Sequence, residues 1–517
     1  MSTKNHRQTV EFGDFQTPSE LTDEICHFLH STGVRPESVI EPTCGTGGFI
    51  VSAMDTFEQT RKFFGNEINR EYLLALERKL QRTNHTHIEL KNEDFFQLDW
   101  EDILTRLPQP ILILGNPPWV TNSGLGRIRG SNLPAKSNFQ GHKGFDAITG
   151  KSNFDISEWM LIHLLDKLQS RSAVLAMLCK TTVARKVLKY VWNRDFRISE
   201  TRLYIIDSKT HFNVSVSACL LVCKTGTPRK TKSCDVFQDI SDKCKISEIG
   251  MHNTEILADL KKYTKWSQLD GPVPFKWRSG VKHDCARIME FTRENGSFVN
   301  GMGEVVDIED TFVFPLYKSS HVVKCRTETP ERWVLVPQRK VGDETRVIRE
   351  KAPRTWAYLT NHADKLDQRK SSIYKNKPRF SIFGIGDYSF AQWKVAISGL
   401  YKKIQFSIIP PMNKKPAMVD DTCYFLPCTN RDEAILFADL LNSKAAREFL
   451  HAFIFWDAKR PITADILKRL DLIALAKILH KDQQLARYRP QIDVSESQFA
   501  LFPDVKQYSD KPLQKTP

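Results

Sequence analysis

No stretch of the 517 residues approaches the roughly 20 consecutive apolar side chains needed to span a bilayer. The opening MSTKNHRQTV also lacks the apolar core of a secretion signal. These two absences lead us to expect a cytoplasmic protein with no membrane partner. Cysteine pairs at metal-binding spacing are missing too: the eleven cysteines contain no C-x-x-C, and the closest spacings are Cys219/Cys223 and Cys423/Cys428, both in apolar, β-like surroundings. Scattered thiols of this kind are expected to be buried, free and unconnected with a metal. Acidic residues are in deficit, 61 against 75 Lys and Arg, for a formal charge of +14. That balance suits a polyanionic partner, although a basic surface also serves solubility. With 41% hydrophobic and 26% charged residues, the chain reads as an ordinary globular protein long enough for about two or three domains.

What is present begins with Phe12 to Pro18 (FGDFQTP), followed by helical apolar spacing at Leu21, Ile25, Phe28 and Leu29. Val39 to Ile50 (VIEPTCGTGGFI) then reads as a short strand ending at Glu41, with a glycine-rich turn opening onto a helix. Glycines there let the backbone approach a ligand closely. The turn lacks the Lys-Ser/Thr of a P-loop and the G-x-G-x-x-G spacing of a dinucleotide fingerprint, so alone it is weak evidence. Lys62 to Ile68 (KFFGNEI) is the next strand, placing Glu67 about 20 residues past the glycines, where doubly wound folds hold ribose hydroxyls. A further strand runs into Asn92 to Phe96 (NEDFF), whose Asp94 and Phe95 have the chemistry to accept from an adenine amine and cover its ring.

Ile111 to Trp119 (ILILGNPPW) is an apolar strand broken abruptly by two prolines. Asn116 and the carbonyl of Pro117 offer two acceptors, and Trp119 offers a flat face beside them. Taken alone, this tetrapeptide reads equally well as a strand-ending turn with a buried Trp. Strands alternating with helical patterns predict an α/β, mostly parallel sheet with a nucleoside-like ligand across its carboxyl edge. Residues 120–153 are rich in Gly, Ser, Asn and Lys and predict a long loop beside that edge; Arg127, Arg129, Lys136, Lys143 and Lys151 suit a phosphate backbone. Two later strands, Thr201 to Asp207 and Ser217 to Cys223, are expected to pair through a connection that exposes Phe212 at the same end of the sheet.

Together these motifs resemble the gamma class of S-adenosylmethionine-dependent DNA amino-methyltransferases, the modification enzymes of restriction systems. FGDFQTP is similar to the family's first motif, Glu41 to Gly47 to its methionine-binding turn, Glu67 to its ribose carboxylate, NEDFF to its adenine-contacting motif, NPPW to its catalytic motif, and His211 to Ser217 (HFNVSVS) to the hairpin carrying a stacking Phe. Trp119 stands where the family more often has Tyr or Phe. The resemblance covers roughly the first 225 residues. It implies a Rossmann-like catalytic domain at 1–230, followed by a linker and helical segment at 231–270. An α+β target recognition domain would occupy 271–430, braced by a helical segment at 431–517. It implies methylation of a flipped base in double-stranded DNA, with Asn116, Pro117, Pro118 and Trp119 catalytic and Trp119 and Phe212 stacking on the base. It further implies that S-adenosylmethionine is held by Phe15, Thr17, Pro18, Glu41, Pro42, Thr43, Cys44, Gly45, Gly47, Glu67, Ile68, Asp94, Phe95 and Asn116. No metal is expected.

The second half interleaves basic and aromatic residues, as a DNA-reading surface does. Lys282, Arg339, Lys340, Lys375 and Arg379 are candidate DNA contacts beside Arg127, Arg129, Lys136 and Lys143, and Lys459 and Arg460 join them near the end of the chain. Adenine N6 is the expected target. The same grip serves cytosine N4, and a protein glutamine methyltransferase shares the tetrapeptide but not the basic second half. A binding protein with a vestigial fold is disfavoured by the intact Asn116, Glu67 and glycines. With the motifs starting near residue 12, a fused nuclease is not expected, and a cognate endonuclease would be encoded separately.

Overall fold

In the computed structural model, which describes residues 16–81, 87–120, 155–272 and 274–488, the apolar runs become the strands of one ten-stranded sheet. Its elements are α1 (Ser19–Ser31), β1 (Ser38–Glu41), α2 (Gly48–Thr56), β2 (Lys62–Asn66), α3 (Arg70–Leu80), β3 (Ile88–Lys91), α4 (Trp100–Arg106) and β4 (Ile111–Gly115). They continue with α5 (Ile156–Leu168), β5 (Ala173–Lys180), α6 (Thr181–Asn193), β6 (Ile198–Ile206), α7 (Ser208–Phe212), β7 (Ala218–Thr225), β8 (Ser233–Phe237), β9 (Lys245–His252), β10 (Glu255–Leu257) and α8 (Leu260–Trp266). The strand order is β10-β9-β8-β6-β7-β5-β4-β1-β2-β3. β1 to β5 are parallel, and β7 runs antiparallel between β5 and β6. This is a Rossmann-like, doubly wound sheet.

Helices on both faces explain why the central strands are continuously apolar instead of alternating. Ile111 and Ile113 of β4 point into a core shared with α4, α5 and α6. Leu112 and Leu114 point into the opposite core, shared with α1, α2 and α3. Helix starts are set locally by side chains that accept from the first free N–H groups: Asn69 for α3, Asp99 for α4 and Asp155 for α5.

Two expectations need correction. Residues 231–270, read as linker and helix, instead carry β8, β9 and β10, which extend the sheet before α8. β8 alternates buried with half-buried positions and β9 is mostly half-buried or exposed, so charged residues interrupt the apolar pattern. The segment 431–517 does not form a single brace. Contacts divide the chain into one unit of residues 1–270, 398–405 and 442–470, and a second of residues 271–397, 406–441 and 471–517. Phe15, Arg127, Arg129, Lys136, Lys143 and Lys151 lie outside the described residues.

The second unit is α+β. Its four-stranded sheet has the order β11 (Arg278–Ser279), β20 (Cys423–Cys428), β17 (Trp393–Ser398), β18 (Phe406–Ile409). Its six-stranded sheet has the order β14 (Val305–Val306), β13 (Ser297–Asn300), β12 (Glu290–Glu294), β16 (Trp333–Leu335), β15 (Val313–Tyr317), β19 (Met418–Val419). Gly384 sits at φ +66°, where a Cβ would come within 2.1 Å of the Gly280 carbonyl oxygen. The two segments cross backbone to backbone, and Lys282 and Phe383 exchange both of their N–H···O bonds at 2.8 Å. All eleven cysteines are free, and among the described residues no helix is long and apolar enough to cross a membrane.

Lys394 is an unusual core residue of β17. It is 1% exposed, its amine donates to the Ala391 carbonyl at 2.6 Å, and burial pulls its pKa down to about 7. Between that value and the ~10.4 of a free lysine, the unfolded chain holds the extra proton, so this group adds stability as pH rises through the window. We expect Lys394→Met to raise the melting temperature near pH 7, with the gain over wild type shrinking toward pH ~9–10. Comparing thermal melts of the two proteins across that range cancels the other titrating groups, and a gain that stayed constant with pH would refute the account.

Candidate active site

Strand order reverses between β1 and β4, and ligands of such sheets bind outside the carboxyl ends of the strands at that point. β1 ends at Glu41, and the chain then turns through Pro42 to Gly47. Gly45 (φ +52°) and Gly47 (φ +80°) are left-handed, and a Cβ on Gly47 would lie 2.1 Å from a Leu76 methyl, so the turn closes onto α3 only because no side chain is there. Glu41 is buried and accepts from the Ile50 N–H at 3.0 Å. Burial drives its pKa well above the usual carboxylate value, an effect the Ile50 bond offsets in part and the nearby Glu67 charge reinforces. Cys44 is a buried thiol, its pKa also raised by burial. The Thr43 hydroxyl oxygen is buried and finds no hydrogen-bond partner among the described residues.

Glu67 follows β2 directly. Its two carboxylate oxygens accept from the backbone N–H groups of Gly45 and Asn69, each at 2.8 Å, which ties the glycine turn to the next strand end. Ile68 beside it is 39% exposed, an apolar surface on the crevice. Asn92 donates to the carbonyls of Glu67 and Ile68 at 2.7 and 3.1 Å. Asp94 accepts from the Phe96 N–H at 3.0 Å. Phe95, expected to cover an adenine ring, is instead a core residue, buried against Trp100 at a centroid distance of 4.9 Å.

Nothing in the sequence sets Asn66 apart. Fully buried at the end of β2, its amide donates to the carbonyls of Pro42 (3.3 Å) and Glu93 (3.1 Å) and accepts from the Glu93 N–H (3.3 Å), while its backbone carbonyl accepts from Cys44 N–H (2.8 Å). One side chain thereby joins the loops after β1, β2 and β3. Its composition offers no warning, since Asn at a strand end more often marks a turn.

Asn116 leaves β4 after Gly115, and its amide nitrogen donates to the Thr17 hydroxyl at 3.3 Å. That bond turns the amide oxygen away from Thr17. Thr17 is preceded by Gln16, whose amide oxygen accepts from the Thr46 hydroxyl at 3.1 Å, and is followed by Pro18, whose carbonyl accepts the first N–H groups of α1. Residues 16–18, the glycine turn and Asn116 therefore form one contiguous surface. Trp119 is buried and meets Phe212 edge-on, centroids 5.2 Å apart at 64°. Phe212, expected on an exposed connection, ends the short helix α7 and is half-buried.

Residues 1–296 match the family model described as N-6 DNA Methylase. The chain belongs to that family. It is a DNA methyltransferase that takes its methyl group from S-adenosylmethionine, and the crevice has the features such a group needs: a glycine turn, a buried hydroxyl lacking a partner and a carboxylate at the next strand end. The methylase is also similar to the Type II methyltransferase M.NspV of Nostoc sp., 48% identical over 471 residues, 91% of this chain and 98% of that one. Among solved structures it is similar to the Type IIL restriction-modification enzyme MmeI in complex with DNA, with a TM-score of 0.52 and 13% identity over 90% of this chain and 65% of that longer one. The latter likeness is one of fold.

Of the basic residues expected at DNA in the methylase's second unit, Arg339, Lys340, Lys375 and Arg379 are exposed and Lys282 is half-buried, and most are paired. Arg339 and Lys340 share Asp387 at 3.7 and 2.9 Å. Arg379 is held by Asp367 at 2.6 Å, and Lys282 lies 3.7 Å from Asp284. Exposed pairs of this kind are worth about 1 kcal/mol or less and exchange readily for another anion. Lys375 is exposed. Lys459 and Arg460 belong to the first unit and are exposed there.

Asn66→Ala would strip partners from buried groups of two other loops. We expect it to lower the unfolding free energy by about 2 kcal/mol and to weaken S-adenosylmethionine binding roughly tenfold. Denaturant unfolding and titration calorimetry check both, and wild-type affinity in a destabilised variant would mean that the crevice is shaped without this amide.

Proposed function

We propose that this methylase transfers a methyl group to the exocyclic N6 of an adenine flipped out of double-stranded DNA, as the modification half of a restriction–modification system. The observation that carries the reading is the placement of Asn116: at the carboxyl end of β4, oriented by Thr17, on the same surface as the glycine turn. The name of the 48% identical relative, a Type II methyltransferase, supports the biological setting and a separately encoded cognate endonuclease.

The amine of adenine is a poor nucleophile because its lone pair is delocalised into the ring. The Asn116 amide oxygen and the Pro117 carbonyl accept its two hydrogens, favouring a tetrahedral nitrogen with a directed lone pair. Pro117 and Pro118 fix φ and hold both acceptors in place, so catalysis rests on positioning and electrostatics. When bound, S-adenosylmethionine supplies an electrophilic methyl on a sulfonium. Glu67 holds its ribose hydroxyls, Ile68 and Asp94 its adenine, and Thr17, Pro18, Glu41, Pro42, Thr43, Cys44, Gly45 and Gly47 its methionine end. Trp119 and Phe212 must part to take a base between them, because their 5.2 Å contact is shorter than the roughly 7 Å that two stacking distances require. Lys282, Arg339, Lys340 and Arg379 give up their acidic partners for DNA phosphates, and Lys375 joins them on the backbone.

Asn116→Ala is expected to lower kcat by at least about 100-fold with S-adenosylmethionine affinity nearly unchanged; substantial turnover in that variant would refute the acceptor role. Trp119→Ala should alter the fluorescence of 2-aminopurine placed at the target base, and a signal matching wild type would remove Trp119 from base holding. Mass spectrometry of nucleosides from modified DNA should find N6-methyladenine, and N4-methylcytosine in its place would overturn the choice of base.

A further inference from the structure

The Asn-Pro-Pro-Trp segment is held at both ends. Thr17 takes the Asn116 amide at one end. At the other, the Lys180 amine donates to the Trp119 carbonyl oxygen at 2.9 Å and to Asp155 Oδ2 at 2.6 Å. Lys180 is the last residue of β5, the strand beside β4 in parallel register with Gly115 opposite Met177, so its side chain emerges at the level of the tetrapeptide. Asp155 is 5% exposed, and its second oxygen accepts from the Ser157 hydroxyl (2.6 Å) and N–H (3.3 Å) at the start of α5. The neighbouring backbone repeats the tie: the Ile156 N–H donates to the Val120 carbonyl at 3.0 Å.

The end of β5 from which Lys180 reaches is itself fixed. Thr181 donates its backbone N–H to the Ser217 carbonyl at 3.0 Å and its hydroxyl to Asp457. Asp457 also accepts from Arg185 through both oxygens at 2.9 Å, and the Arg185 guanidinium lies 4.4 Å over the Phe455 ring. Stability alone does not ask for this arrangement, because a largely buried lysine–carboxylate pair can be replaced by apolar groups of similar volume at little or no net cost. A second donor bond to a backbone carbonyl of the catalytic segment is something a Met of the same length could not supply.

We propose that Lys180 is a positioning residue for methyl transfer, setting the Trp119 carbonyl and through it the placement of the Pro117 carbonyl against the target amine. This rests on the reading that Asn116 and Pro117 hold that amine. Lys180 itself touches neither the base nor the methyl donor. A displacement of about 1 Å at the reacting groups is enough to cost roughly 100-fold in rate.

The test compares Lys180→Met, Lys180→Arg and Asn116→Ala in the full-length enzyme on a duplex carrying the methylation site, with 2-aminopurine at the target for the fluorescence arm. For Lys180→Met we expect kcat to fall by about 30- to 100-fold with S-adenosylmethionine affinity within about twofold of wild type. A changed 2-aminopurine signal and recovery of most of the rate in Lys180→Arg should accompany it. Wild-type kcat in Lys180→Met beside an inactive Asn116→Ala overturns the proposal and leaves the site reading standing, whereas wild-type rates in both overturn the site reading. Loss of cofactor binding in step with kcat marks a general structural role and also overturns the proposal. If Lys180→Met does not fold, Asp155→Asn keeps the volume of the pair: a lower kcat with cofactor affinity retained supports the proposal, and an unchanged kcat overturns it.

Discussion

A parallel sheet presents its carboxyl ends as separate loops, and nothing in the strand ladder dictates how those loops sit against each other. In this methylase the constraint comes from the buried amide of Asn66, which reaches the loops after β1 and β3 from the end of β2. Glu67, the next residue, repeats the pattern by accepting from Gly45 and Asn69. The two adjacent side chains convert three independent strand ends into a single surface. The bonds that join these loops all end on backbone groups, so the shape is set by main-chain positions. A buried amide with all its bonds made is rigid for the same reason that an incomplete one is costly.

The opposite side of the crevice is built on different physics. There the backbone is stiffened covalently by two prolines, and the ends of the stiff piece are held by side chains, Thr17 at Asn116 and Lys180 at Trp119. Trp119 and Phe212 meet edge-on, a favourable geometry for two rings. Their contact gives the closed arrangement an energy of its own, so under the proposed function an entering base would replace one aromatic partner with another, like for like.

Legibility in the sequence followed punctuation. The glycine turn, Glu67 and Asn116 to Trp119 could be read because each sits where an apolar run is broken by Gly or Pro, and strand ends in an alternating α/β pattern have a known place in space. Phe95 was misplaced because two adjacent aromatics, Phe95 and Phe96, follow a strand whose register the sequence leaves open; one residue of shift decides which enters the core. β8 to β10 were missed because partly exposed strands carry charge on their outward face. Asn66, Lys180 and Asp457 could not be found by pattern at all. The partners of their side chains lie at least 24 residues away in the chain, up to 276 for Asp457, and each is a residue type common on surfaces.

The return of residues 442–470 to the first unit bears on how the protein is made. As the polypeptide leaves the ribosome, the ten-stranded sheet is complete by about residue 257, yet Asp457, which braces the start of α6, does not exist until most of the second unit has been synthesised. Pairings of such long sequence separation form late and slowly. The nascent sheet thus waits for its last support while the second unit emerges. An exchange of the second unit would have to follow its discontinuous course, taking residues 271–397, 406–441 and those after 470 while leaving 398–405 and 442–470 with the first unit.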